Sequence, residues 1–104
     1  MEHGLLEFDV SHIRAAAAEI KEIDEIVLFG SRAKGTHDKG SDVDIAIKGR
    51  GINDDTVFQL SDELNEERPL PYFFDVLDYG ALMEDEPIRA HIDRVGVVLF
   101  RALS

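Results

Sequence analysis

Residues 42–47, Asp-Val-Asp-Ile-Ala-Ile, limit what this chain can become more than any other stretch. Polar and apolar residues mostly alternate there, the period-two pattern of a strand with one buried face. Residues at i and i+2 of a strand point the same way, about 6.5–7 Å apart. Asp42 and Asp44 therefore share one face, while Val43, Ile45 and Ile47 turn to the other. Two carboxylates held that close repel unless a cation sits between them, each raising the other's pKa. Oxygen-only ligands of this kind suit a hard divalent ion such as Mg²⁺, which takes one or two carboxylates plus substrate phosphates.

The residues just upstream offer a seat for phosphates. Val27, Leu28 and Phe29 form a β-branched and aromatic run that stops at Gly30, the pattern of a buried strand ending in a tight turn. Ser31-Arg32-Ala33-Lys34 can open a helical turn whose free N–H groups attract an anion. The net charge of −11 argues against a general affinity for nucleic-acid backbone. Its distribution is uneven: residues 32–39 hold three bases (Arg32, Lys34, Lys39) against one acid, Asp38, with His37 between them. A basic island beside a phosphate seat and a pair of carboxylates fits a nucleoside triphosphate site, and a solvated loop is the blander account of the same charges.

Gly30-Ser31, ten residues, then Asp42-Val43-Asp44 is the GS-x10-DxD pattern of the DNA polymerase β-like nucleotidyltransferase superfamily. The surrounding text, FGSRAKG and SDVDIAI, most resembles the minimal nucleotidyltransferases of prokaryotic toxin–antitoxin pairs. The resemblance covers nearly the whole chain. It implies an α/β (α+β) palm with a mixed sheet of about four strands and helices on one face. A third acid on a neighbouring strand would complete the metal site, and Asp75 is preferred over Asp78. Asp42, Asp44 and Asp75 would then be both catalytic and metal-binding, with two Mg²⁺ ions (or Mn²⁺) clamping the attacking and leaving oxygens. Gly30, Ser31, Arg32 and Lys34 would bind the nucleotide, although Arg32 is equally suited to a structural clamp on Asp42 or Asp38. The implied activity is transfer of AMP from ATP, or of another nucleoside monophosphate, to a tyrosine hydroxyl of a cognate HEPN-domain toxin, with this protein as antitoxin.

The rest of the chain reads as scaffold. A helix is expected from Asp9-Val10-Ser11 to about Lys21, capped by Asp9 or Ser11, with Ile13, Ala16, Ala17 and Ile20 as its buried stripe. His12 and Arg14 would face outward, and residues 1–8 are a lead-in without pattern. Strands follow at 25–29 and 42–48. A second helix is capped by Asn53 or Asp54, buries Val57, Leu60 and Leu64, and ends before Pro69 and Pro71. Residues 72–78, YFFDVLD, form a third strand, with Phe74 and Val76 on one face and Phe73, Asp75 and Leu77 on the other. The last unit is a helix opened by Pro87, with Ile88, Ile92 and Val95 buried, then a strand at 97–100 whose free edge could pair with a second copy.

At 104 residues the chain is expected to be one domain, 1–104, without cysteine chemistry, a signal peptide or a membrane span, and so cytoplasmic. Larger members of the resembled superfamily carry an added helical domain for the acceptor, which here would come from a partner or a second copy. Two rival functions remain. One is a non-catalytic antitoxin that neutralises its partner by contact, against which the intact acids and Gly-Ser count. The other is a small-molecule transferase of the aminoglycoside type, against which the absent acceptor domain counts.

Overall fold

The computed structural model describes residues 3–38 and 40–102, so Lys39 of the basic island lies outside it. In chain order the elements are α1 (Glu7–Ala18), β1 (Ile23–Phe29), α2 (Gly30–Lys34), β2 (Val43–Gly49), α3 (Asp54–Asp62), β3 (Phe74–Asp78), α4 (Pro87–Val95) and β4 (Val97–Arg101). A π-helical turn, Glu63–Glu67, prolongs α3, and a 3₁₀ turn, Tyr79–Ala81, follows β3. The sheet has the order β3-β2-β1-β4. β1 runs antiparallel to both β2 and β4, whereas β2 and β3 are parallel, so the sheet is mixed.

Alternation along β1 and β2 decides which residues meet which helices. Ile26, Leu28, Val43, Ile45 and Ile47 are buried on the face covered by α1 and α3, against Ile13, Ala16, Leu60 and Leu64. Small residues in α1 let its backbone approach the sheet closely, and each large aliphatic buried there contributes about 1.5–3 kcal/mol. The expectation of helices on one face holds for α1 and α3. α4 departs from it: Ile92 packs on the opposite face over Val27, Phe29 and Ala46, because alternation leaves those three apolar side chains there needing cover. Ile88, expected in the buried stripe of that helix, is 37% exposed.

The first helix also begins earlier than expected. Asp9 sits at its third position and accepts a hydrogen bond from the Leu6 N–H (2.9 Å), so an apolar residue can occupy the cap. The same carboxylate oxygen accepts from the Tyr72 hydroxyl at 2.6 Å, tying α1 to the lead-in of β3. The residues before α1 are not a featureless lead-in, since His3 and Leu5 are buried. His12 and Arg14 do not simply face solvent. His12 Nδ1 lies 2.9 Å from Arg68 Nη1, and Arg68 pairs through Nε with Glu63 at 2.9 Å, which joins α1 to the π-helical turn.

The outer strands each meet a side chain at their free edge. The Asn65 amide donates to the Phe74 carbonyl (3.0 Å) and accepts from the Phe74 N–H (2.7 Å), completing the outward-facing polar groups of that residue. On the other side Arg14 Nε donates to the Leu99 carbonyl at 2.7 Å, where the β1–β4 register shifts. The edge at 97–100 exists as expected, with one of its carbonyls already bonded.

Candidate active site

At the end of β1 the chain must leave the sheet sharply, and Gly30 does so with φ of 76°. A side chain at that φ costs about 1–2 kcal/mol. Space forbids one as well, because a Cβ on Gly30 would collide with Asp44 Oδ2. The Gly30 N–H donates to His91 Nε2 of α4 at 3.2 Å, which fixes the orientation of this peptide. Gly30→Ala is therefore expected to lose about 1–2 kcal/mol from backbone strain alone and to displace the Asp44 carboxylate. A thermal melt together with an ATP–Mg²⁺ titration reads both effects; an unchanged melting temperature would contradict the strain, and unchanged affinity the displacement.

β2 carries Asp44 next to Phe29 of β1 on one side and next to Asp75 of β3 on the other. Neighbouring strands lie about 4.8 Å apart, so this register brings the two carboxylates together across the parallel pair. Asp42 stands just before β2, exposed, and Asp75 is also exposed. Asp44 is half-buried, and its carboxyl is held above the usual carboxylate range by burial, then by the charges of Asp75 and Asp42, against an opposing pull from His91. Asp42 and Asp75 thus both bear on Asp44. Asp78 is placed elsewhere in the register, opposite Ile47, and its carboxylate accepts from the Gly80 N–H at 3.0 Å, capping the 3₁₀ turn.

The donor set fits a hard divalent cation, being all carboxylate oxygen with excess negative charge. Among the described residues no group of three such side chains is arranged to hold an ion unaided. Asp42 and Asp75 are exposed and Asp44 is half-buried, so the acids stand on an open shelf.

Arg32 is not where a phosphate ligand should be. It is 2% exposed, and its guanidinium donates through Nη1 to the His3 carbonyl (2.9 Å) and through Nη2 to the Ser41 carbonyl (3.0 Å). It also lies over the Tyr72 ring, 4.9 Å from the centroid. The clamp alternative holds in altered form: the partners are backbone carbonyls, not Asp42 or Asp38. Through Ser41 it fixes the residue immediately before Asp42. Burial explains why the carbonyls win, since a guanidinium out of water requires most of its donors filled. Ser31 is half-buried at the second position of α2, and Lys34 is exposed at that helix's end. His91 is the site residue that sequence reasoning missed: it lies on the last helix, in no motif, and only tertiary packing brings it to Gly30.

The family model described as polymerase beta, nucleotidyltransferase, matches residues 11–102. No curated protein matches the sequence. Among solved structures, a toxin–antitoxin with AMP-PNP superposes with a TM-score of 0.71 at 22% identity, covering 94% of this chain and 75% of that one. A mutant of the toxin–antitoxin MntA-HpeT gives 0.69 at 18% identity, with the same coverages of 94% and 75%. A chain from Sulfolobus solfataricus assigned to the nucleotidyltransferases gives 0.58 at 24% identity, over 96% of this chain and 83% of that one. At these identities the structural likeness is one of fold.

Proposed function

Because this chain belongs to the polymerase beta nucleotidyltransferase family, we propose that it transfers AMP from ATP to an acceptor hydroxyl, with Asp42, Asp44 and Asp75 as the working carboxylates. The observation that carries this reading is the register that sets Asp75 beside Asp44, itself packed against the turn at Gly30 and two residues from Asp42. Members of the family generally use divalent metals. Asp42, Asp44 and Asp75 would hold Mg²⁺ or Mn²⁺, and the triphosphate would complete the ligand shell that the side chains leave open. The bound metal would supply charge neutralisation at the phosphates and make the acceptor hydroxyl more acidic.

The remaining roles fall to the chain itself. The first N–H groups of α2 beyond Gly30, with the Ser31 hydroxyl, are donors for the β- and γ-phosphates. Lys34, exposed at the end of α2, is a cation for the departing pyrophosphate. Asp75, exposed at the start of β3, takes the acceptor's proton as its oxygen bonds to the α-phosphorus and the bond to pyrophosphate breaks. The toxin–antitoxin complexes among the structural neighbours support an antitoxin role, and the acceptor proposed with it, a tyrosine of a HEPN-domain toxin, rests on the motif resemblance alone. No helix among the described residues is long and apolar enough to cross a membrane.

The test is incubation with ATP, Mg²⁺ and the product of the adjacent gene, followed by intact-mass measurement of both proteins. A gain of one AMP on the partner supports transfer. Inhibition of the partner with no mass gain on either protein points instead to neutralisation by contact. Asp75→Ala should lose transfer while ATP binding largely survives, and Asp78→Ala should keep most activity, since that carboxylate caps a turn. An inactive Asp78 variant beside an active Asp75 variant would move the third acid to the other position.

A further inference from the structure

Among the exposed aromatic residues, Phe73 stands apart by its position. Phe8 packs edge-on against His12, and Phe58 lies exposed on α3. Phe73 immediately precedes β3 and is already in the ladder, its carbonyl accepting from the Val43 N–H at 2.9 Å. Tyr72, Phe74 and Val76 all belong to the core beneath α1 and α3. By alternation Phe73 therefore shares its face with Asp75 and Leu77. Leu77 is covered by the small cluster around Ile92, whereas Phe73 remains 59% exposed. A bare ring thus flanks the carboxylate shelf, two residues from Asp75, on a residue whose carbonyl is bonded to the residue between Asp42 and Asp44.

The order of the sheet gives that position a direction. β2 with Asp42 and Asp44 is central, α2 follows β1 on one side, and β3 with Asp75 and Phe73 lies on the other. Displacement at phosphorus is in line, so the entering oxygen arrives opposite the leaving pyrophosphate. With pyrophosphate departing on the α2 side, the acceptor must enter over β3. α4 narrows the choice further, since His91 and Ile92 cover the β1 side of the same face. Asp75 and Phe73 are what an incoming acceptor meets.

We infer that Phe73 is a specificity-determining residue of the acceptor site, seating a hydroxyl carried on a flat, uncharged aromatic group. The inference rests on the nucleotidyl-transfer reading and adds the side of approach and the side chain that seats the acceptor. The ring offers stacking area and no hydrogen bond, so it favours an aromatic acceptor over a small aliphatic alcohol. Three neighbouring carboxylates repel an acidic acceptor and tolerate a neutral phenol. A phenol stacked on Phe73 would present its hydroxyl beside Asp75, the group proposed to receive the proton.

The experiment uses the full chain with Mg²⁺ and α,β-methylene-ATP bound, titrated with N-acetyltyrosinamide or N-acetylserinamide and followed by NMR. The tyrosine probe should bind and shift resonances at Phe73 and Asp75, and the serine probe should not. Phe73→Ala should weaken the tyrosine probe by about tenfold while leaving affinity for the nucleotide analogue unchanged. Phe73→Tyr should restore it, and because the side chain is exposed all variants should melt together. Equal binding to wild type and Phe73→Ala, equal binding of the two probes, or no binding of the tyrosine probe overturns this inference alone. Failure of the nucleotide analogue to bind overturns the transfer reading and this inference with it.

Discussion

Asp44→Asn is expected to reduce nucleotidyl transfer by about 10³-fold or more, equal to about 4 kcal/mol of transition-state stabilisation, with the fold intact. The amide keeps the shape that Gly30 packs against but removes the central carboxylate of the three. Its effect on the ligand-free protein has the opposite sign. The Asp44 carboxyl is raised by burial and by its acidic neighbours, so ionising it disfavours the folded state. Its contribution to stability is fully present below the unfolded-state value, about 3.9, and is lost as pH rises through the folded-state value. At neutral pH the Asn variant lacks that loss, and its melting temperature should equal or exceed the wild type's. Paired measurements of transfer rate and of melting at pH 7 and in mild acid check both halves. Retained turnover would remove Asp44 from the chemistry, and a steep fall in melting temperature would make it a structural residue.

Arg32→Ala should do the reverse, unfolding the protein more readily while touching no phosphate. The substitution leaves the His3 and Ser41 carbonyls without their donor and removes the cation from the Tyr72 ring. Hydrogen bonds to a charged group contribute about 1.5–3 kcal/mol, and the buried void adds to the loss, so about 2–4 kcal/mol is expected. For a chain of this size that lowers the melting temperature by about 10–20 °C. Arg32→Lys should not rescue it, because an ammonium cannot span both carbonyls with the fixed fork of a guanidinium. Calorimetry beside an ATP titration decides the matter. A variant with normal stability and lost triphosphate affinity would return Arg32 to the phosphate role, one of the two that its sequence position offered equally.

That residue illustrates what a sequence can and cannot disclose. The alternation in 42–47 and in 72–78 was sufficient to place Asp44 and Asp75 on a common face, because strand parity is a local rule. The Gly-Ser turn was legible for a similar reason, since the need for a positive φ is written into glycine itself. Arg32 was ambiguous because its partners are main-chain carbonyls, which every residue has and no side-chain pattern marks. His91 left no signal at all: its hydrogen bond to Gly30 spans 61 residues of sequence and depends on where α4 lands. α4 was expected on the same face as the other helices and lies on the opposite one, because Val27, Phe29 and Ala46 read equally as strand residues between two buried faces or as residues facing an open one. The early start of α1 escaped for a subtler reason. Asp9 was recognised as a capping residue but assigned to the cap position, when the same carboxylate reaches back from the third position.

The two side chains at the sheet's margins bear on how such a chain survives in a crowded cell. A four-stranded sheet with bare outer strands is a template, and any extended peptide, including a nascent copy of itself, can add to it. Asn65 occupies the outward amide and carbonyl of Phe74, and Arg14 occupies the carbonyl of Leu99, so strand addition must first displace a bond already made. The Asn65 contact matters most, since it lies within two residues of both Phe73 and Asp75, where an apolar ring must stay uncovered. With the backbone engaged there, an incoming polypeptide finds side chains rather than a growing β-ladder. The shelf can thus keep an exposed aromatic residue with less risk of seeding aggregation.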